Sequence, residues 1–223
     1  MKKIIIAIDG PAASGKSTTA KRVASVLGYL HIDTGAMYRA IALKVLRHKI
    51  EPSDSSSIAA LASSTSVQLQ LHNGNVDVLL DGILVNEEIR SPEVTNIVSA
   101  VSAVSRVREL MVNEQRAMGK NGGIVLEGRD IGTVVFPSAE LKIFMIADAR
   151  ERAVRRQKEM QGKGVAVDLD NLKNEIAERD RIDSTREASP LKKADDAVVL
   201  DTTHLSIDEQ VQFIVARAKE KIE

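Results

Sequence analysis

The apolar positions along the chain change period several times, and each change marks an element. Residues 4–8 are an unbroken run of Ile and Ala after Lys3, so residues 3–8 read as a buried strand. Ala20, Val23, Ala24 and Leu27 then recur at helical spacing. Residues 29–33 form a second short strand, and Asp33 or Thr34 can cap the helix that follows to about Arg47. That helix carries Met37, Ala40, Ile41, Lys44 and Val45 on one side and Ala36, Leu43 and Arg47 on the other. Residues 51–57 are polar and read as a hinge, with a short helix expected over 58–62.

From residue 65 the period falls to two. Val67, Leu69 and Leu71 face one way and Gln68 and Gln70 the other. Turn signals at Asn73-Gly74 and Asp81-Gly82 join this strand to 76–80 and 83–85, which predicts a small antiparallel sheet. Val94, Ile97, Val98, Val101, Val104, Val107 and Met111 then predict a long helix over about 92–118, with a kink or break near Ser105. Gly119 to Gly123 ends it. Strands are expected at 124–127, 141–147 and 197–200, and helices at 149–160 and 168–182. Ser206-Ile207-Asp208-Glu209 is a capping box, followed by Val211, Ile214, Val215 and Ala218 on one face.

Strands that alternate with helices predict an α/β fold, with a five-stranded parallel sheet covered by helices. The antiparallel strands do not suit that sheet. Residues 36–92 are therefore expected as an inserted small α+β lobe, and residues 1–35 and 93–223 as the core. The Gly-containing break after the Arg-rich helix suggests a short helical lid at about 155–167.

Composition narrows the function. Apolar residues make up 43% of the 223, enough for a core, but aromatics only 2%, so platforms for stacking nucleic-acid bases are scarce. Thirty-one basic residues balance 31 acidic ones, which argues against a broad polyanion-binding surface. The absence of cysteine removes disulfides and thiolate metal sites. Asp9 interrupts the N-terminal apolar run too early for a signal peptide, and no run reaches the ~18 residues of a membrane span. A cytoplasmic monomer is expected, with no nucleic-acid or membrane partner.

Gly10-Pro11-Ala12-Ala13-Ser14-Gly15-Lys16-Ser17, continued by Thr18, fits G-x-x-x-x-G-K-[ST] between a predicted strand and a predicted helix. Backbone N–H groups of such a loop surround phosphate, Lys16 reaches the outer phosphates, and Ser17 offers a hydroxyl to Mg²⁺. The motif implies a nucleoside triphosphate without saying where its γ-phosphate goes. Arginines suited to bind a moving phosphoryl group are Arg39, Arg106 or Arg108, Arg129, Arg155, Arg179 and Arg186. Arg179, Asp183 and Arg186 share a helix face if the helix lasts that far, as either a phosphate-binding set or a solvated ladder. Gly128-Arg129-Asp130 and Asp33-Thr34-Gly35 both follow strand ends, where active groups of such sheets gather. Glu127 and Asp9 compete as the acid beside the metal.

Assembled, these residues resemble the bacterial cytidylate kinase family of P-loop nucleoside monophosphate kinases, over nearly the whole chain. The marks are Ile8 to Pro11, Asp33 to Arg39, Gly128 to Pro137, Glu178 to Asp183, and Arg186. The resemblance implies phosphorylation of CMP and dCMP by ATP with Mg²⁺, without a strong general base. It makes 36–92 the monophosphate-binding lobe. It also implies CMP contacts from Thr34, Tyr38, Arg39, Arg106, Arg129, Asp130, Arg179 and Asp183, with Asp183 at the pentose. Lys16, Arg129, Arg155, Arg179 and Arg186 would stabilise the transferring phosphoryl group, and Ser17 the metal. A kinase for another monophosphate, a nucleotide-dependent switch and a nucleic-acid motor share the loop motif and remain as rivals.

Overall fold

Strand β1 (Ile5–Asp9) lies at the centre of a five-stranded sheet, as its continuous apolar run requires. The sheet order is β2 (Leu30–Asp33), β6 (Ile124–Gly128), β1, β7 (Leu141–Ile146), β8 (Val198–Asp201). Strand β1 runs parallel to both β6 and β7, and β7 to β8. The computed structural model describes all residues except Met1, Asn73, Gly74, Lys163, Val165 and Glu223. The Asn73-Gly74 turn therefore lies outside the described residues, as do two positions of the expected lid.

Contacts divide the chain into two units: Met1–His31 with Asn121–Thr185 and Pro190–Glu223, and Ile32–Lys120 with Arg186–Ser189. In the first, helices α1 (Lys16–Leu27) and α8 (Ile207–Ile222) cover the sheet through Ala20, Val23, Val211 and Ile214, packed on Ile6, Ile8 and Ile143. The capping box at α8 forms as read: Ser206 Oγ accepts from Glu209 N at 3.3 Å and the Glu209 carboxylate from Ser206 N at 2.8 Å. Helices α6 (Ala149–Gln161) and α7 (Leu169–Thr185) pack together over a separate small apolar cluster. Gly122 passes so close to Lys3 that a Cβ would stand 2.5 Å from its carbonyl oxygen, which leaves glycine as the residue for that turn.

The second unit is built round helix α2 (Thr34–Arg47). Its Met37, Ile41 and Val45 are buried, and so are Ala36 and Leu43 on the other side, because neighbours surround it. Those are α3 (Ser55–Ser63), an antiparallel sheet of β3 (Val67–His72), β4 (Asn75–Leu80) and β5 (Ile83–Leu84), and α4 (Pro92–Ala103) with α5 (Ser105–Met118). Asp81 and Gly82, at φ 50° and 81°, make the two-residue turn expected between β4 and β5. The long helix breaks at Val104, whose ψ of 119° is extended. The unit is larger than residues 36–92, since Val94, Val98, Val101, Val107 and Met111 of α4 and α5 share the core of α2. No helix among the described residues is long and apolar enough to cross a membrane.

Candidate active site

The phosphate loop leaves β1 at Asp9 and enters α1 at Lys16. Gly10 turns so tightly under β7 that a Cβ would lie 2.1 Å from Met145 O. Gly15, at φ 94°, starts the helix. Lys16 Nζ bends back over the loop, donating to Pro11 O at 2.6 Å and Ser14 Oγ at 3.2 Å. Ser14 is fully buried, and its carbonyl accepts from Thr202 Oγ1 at 3.0 Å. Thr19 donates to Gln210 Oε1 at 2.7 Å, tying α1 to α8. Arg155 lies beside this loop and is engaged with Thr202 Oγ1 (3.1 Å) and the carbonyls of Thr202 and Thr203.

At the end of β6, paired with β1, Glu127 is buried. Its Oε2 accepts from Ser17 Oγ at 2.6 Å and its Oε1 meets His31 Nε2 at 3.1 Å. Asp9, the other acid, is spoken for: Oδ1 accepts from Ile131 N at 2.8 Å and Oδ2 from Gly132 N at 2.7 Å. Those amides open a π-helical turn, Ile131–Val135, that the sequence reading lacks. Asp9 thus braces that turn, whereas Glu127 and the Ser17 hydroxyl form a hard-oxygen pair. Among the described residues no group of three or more His, Asp or Glu could hold a metal. Two protein oxygens completed by substrate phosphates are the pattern of Mg²⁺ rather than of a protein-caged ion, so the residues fit it.

Cations crowd this end of the sheet. Burial pushes the Lys16 ammonium well below its ordinary pKa, and Arg129 and Arg179 press it further down, against Glu127 and Asp9. Burial also works against the Arg129 charge. Asp183, which accepts from Arg129 Nε at 2.8 Å, outweighs it together with Asp180 and Glu127. Helix α7 thereby supplies both Arg179 and the acid that orients Arg129. It stops at Thr185, so Arg186 lies just past the expected helix face, in the second unit, with Nε donating to Ser189 O at 2.9 Å. Asp130 is buried at the start of the π-helical turn.

In the second unit, Asp33 caps α2 by accepting from Ala36 N at 3.2 Å, and Thr34 is buried in its first turn. Arg39 donates to Thr95 Oγ1 at 2.8 Å. The two candidate arginines on α5 differ in where they lie. Arg106 points to the surface, donating to Ser63 Oγ at 3.0 Å and Glu109 at 3.1 Å. Arg108 is buried, with its guanidinium 5.1 Å from the centre of the Tyr38 ring and a hydrogen bond to Ser102 O at 3.1 Å. Two residues along a helix face nearly opposite ways. Val104, Val107 and Met111 mark the inward stripe, and Arg108 falls within it.

The family model for cytidylate kinase matches residues 6–220. The chain belongs to the cytidylate kinase family. Curated cytidylate kinases of Caldicellulosiruptor bescii and Lactococcus lactis are each 53% identical to it, covering 96% and 98% of the chain and 95% and 99% of their own lengths. That of Bacillus pumilus is 54% identical over 93% of the chain and 92% of its own length. Among solved structures, an uncharacterised protein of Eubacterium ventriosum shares the fold, with a TM-score of 0.52 at 13% identity over 97% of this chain and 99% of that one. Family membership leaves the individual roles to geometry. Missed by the sequence reading was the His31 contact to Glu127. The burial of Arg108, left open beside Arg106, was signalled by its place among Val104, Val107 and Met111.

Proposed function

We propose that this protein transfers the γ-phosphoryl group of ATP to CMP and dCMP, giving ADP with CDP or dCDP. The observation that carries the reading is the cationic group formed by Lys16, Arg129 and Arg179 at the phosphate loop, within a chain of the cytidylate kinase family. A phosphate oxygen of the acceptor attacks the γ-phosphorus in line. The bond from that phosphorus to the β–γ bridging oxygen breaks, and ADP leaves with the electron pair. The acceptor oxygen is already anionic near neutral pH, so no strong base is needed.

The backbone of Gly10–Ser17, with Thr18, holds the ATP phosphates. Lys16, Arg129 and Arg179 match the charge that spreads over the equatorial oxygens, and Arg155 and Arg186 add to it. Ser17 and Glu127 would hold Mg²⁺, which when bound supplies positive charge to the β- and γ-phosphates. Asp183 keeps Arg129 aimed and offers a carboxylate to the pentose. Thr34, Tyr38, Arg39, Arg108 and Asp130 serve the cytidine monophosphate. The segment at 155–167 acts as a lid that excludes water and limits hydrolysis. We place the enzyme in the cytoplasm as a monomer acting on small nucleotides.

A coupled assay of ADP release with Mg·ATP tests this across CMP, dCMP, UMP and AMP. CMP and dCMP are expected to give the highest kcat/KM. A preference for UMP or AMP, or ATP hydrolysis untouched by any monophosphate, would overturn it.

A further inference from the structure

The tip of the phosphate loop is gripped from outside by an ion pair with no role in the mechanism above. Ala12 is buried, and both polar groups of its backbone are engaged by side chains from one helical pair. Its N–H donates to Asp180 Oδ1 of α7 at 3.0 Å, and its carbonyl accepts from Arg152 of α6 at 3.1 Å. Arg152 also pairs with the second oxygen of Asp180, which closes a ring of three groups. The methyl of Ala12 packs with Ala153, Leu172 and Ile176 of the same two helices. The next residue, Ala13, sits at φ 57°, a left-handed conformation that an L-residue keeps only when its surroundings hold it there.

Asp180 contributes a negative charge at a loop built to receive phosphate. An uncompensated carboxylate there would repel the nucleotide, and the direct partnership with Arg152 offsets that charge. The pair therefore does two things together. It satisfies a backbone amide and a carbonyl that would otherwise be buried without partners, and it presents the loop with little net charge. It also ties the loop to α6 and α7, the helices that carry Arg155, Arg179 and Asp183.

From this geometry we infer that Arg152 and Asp180 are a positioning pair for the triphosphate: they set the Ala12 peptide, and through it the phosphate loop. Neither side chain is assigned to touch the nucleotide. The inference rests on the kinase reading only in taking Gly10–Ser17 as the ATP loop, and it is silent about the acceptor.

The test measures Mg·ATP binding directly by titration calorimetry, beside the KM for ATP and for CMP, with thermal unfolding as a check on the fold. Variants are Asp180→Ala, Asp180→Asn, Arg152→Gln and the Arg152→Gln/Asp180→Asn double. Asp180→Ala is expected to weaken ATP binding about tenfold, a loss typical of supporting groups around a site, while the CMP KM stays within about twofold. Asp180→Asn keeps an oxygen for Ala12 N–H and should lose less. Because the two side chains act through one contact, the double variant should bind ATP no more weakly than the poorer single. Unchanged ATP binding in folded Asp180→Ala, or equal weakening of ATP and CMP, overturns the inference. If Asp180→Ala does not fold, Asp180→Asn decides: ATP binding equal to wild type overturns it, and an ATP-specific loss supports it. Wild-type protein that binds Mg·ATP yet leaves CMP unphosphorylated would sink the acceptor reading and leave the positioning pair standing.

Discussion

Ser17 donates its hydroxyl to Glu127 Oε2 across 2.6 Å, joining the first turn of α1 to the buried end of β6. The two residues are 110 positions apart in sequence. Adjacent pairing of β1 with β6 brings the phosphate loop beside the acid. His31 holds the other carboxylate oxygen at 3.1 Å, so the acid has little rotational freedom.

If this pair holds the metal, Glu127→Gln should raise the Mg²⁺ concentration needed for half-maximal turnover and lower kcat by about 10–100-fold, the usual effect of removing a carboxylate that supports a metal site. Gln is nearly isosteric and can still accept from Ser17, so the unfolding temperature should move little. Turnover measured against Mg²⁺ at saturating nucleotides checks this. An unchanged Mg²⁺ dependence would return the role to another group.

Arg106 and Arg108 give a cleaner contrast, because they are two residues apart and differ in burial. Arg106→Ala removes a surface contact to Ser63 and Glu109 and should change stability by no more than about 0.5 kcal/mol, with a CMP KM close to wild type. Arg108→Lys keeps the charge but loses the planar group beside Tyr38 and the bond to Ser102 O. The CMP KM is expected to rise about tenfold or more while the ATP KM holds. Steady-state kinetics with each substrate varied would expose an error here, since a larger CMP effect from Arg106 reverses the assignment.

What the chain disclosed before folding follows the range of the interactions involved. The buried strand at β1, the capping box at α8 and the Asp33 cap of α2 depend on residues within a few positions of each other, and all three were legible. The break near Ser105 was legible too. The reach of the second unit was not. Val94, Val98 and Val101 announce an apolar face on α4 but not the helix it meets, and that helix proved to be α2. Among candidate site residues, the Gly10–Ser17 motif is local and could be read directly from the chain. The partnership of Arg129 with Asp183 spans 54 positions, and that of Arg152 with Asp180 spans 28. No spacing rule reaches that far, so sequence named Arg129 and Asp183 without pairing them.

The Arg129–Asp183 pair changes what to expect of Asp183. Its carboxylate is buried and accepts from Arg129 Nε, so Asp183→Ala would leave that guanidinium without its main counter-charge. Removing one member of a buried pair costs about 3–5 kcal/mol, with the lower end expected here because Arg129 keeps some solvent contact. A misaimed Arg129 should lower kcat/KM for CMP and dCMP alike. A contact to the pentose would add a further loss that differs between the two. Urea unfolding reads the first effect and the CMP:dCMP ratio of kcat/KM reads the second. An unchanged ratio argues against sugar contact even if both rates collapse.

Asp9 predicts an unusual dependence of stability on pH. Burial raises its pKa from 3.8 to about 6, partly offset by the amides of Gly132 and Ile131; Asp130 pushes it up and Lys16 pulls it down. Between those two values the folded protein binds a proton that the unfolded chain has released. The contribution of Asp9 to stability is therefore greatest below about 3.8 and declines as pH rises to about 6, by about 3 kcal/mol in all. This runs opposite to the usual effect of a salt-bridged carboxylate. Asp9→Asn cannot titrate, so its stability relative to wild type should improve by roughly that amount between pH 4 and pH 7, whatever fixed cost the lost acceptor imposes. Urea midpoints of both proteins across this range decide it. Parallel pH curves would show that the two backbone amides, not burial, control the charge of Asp9.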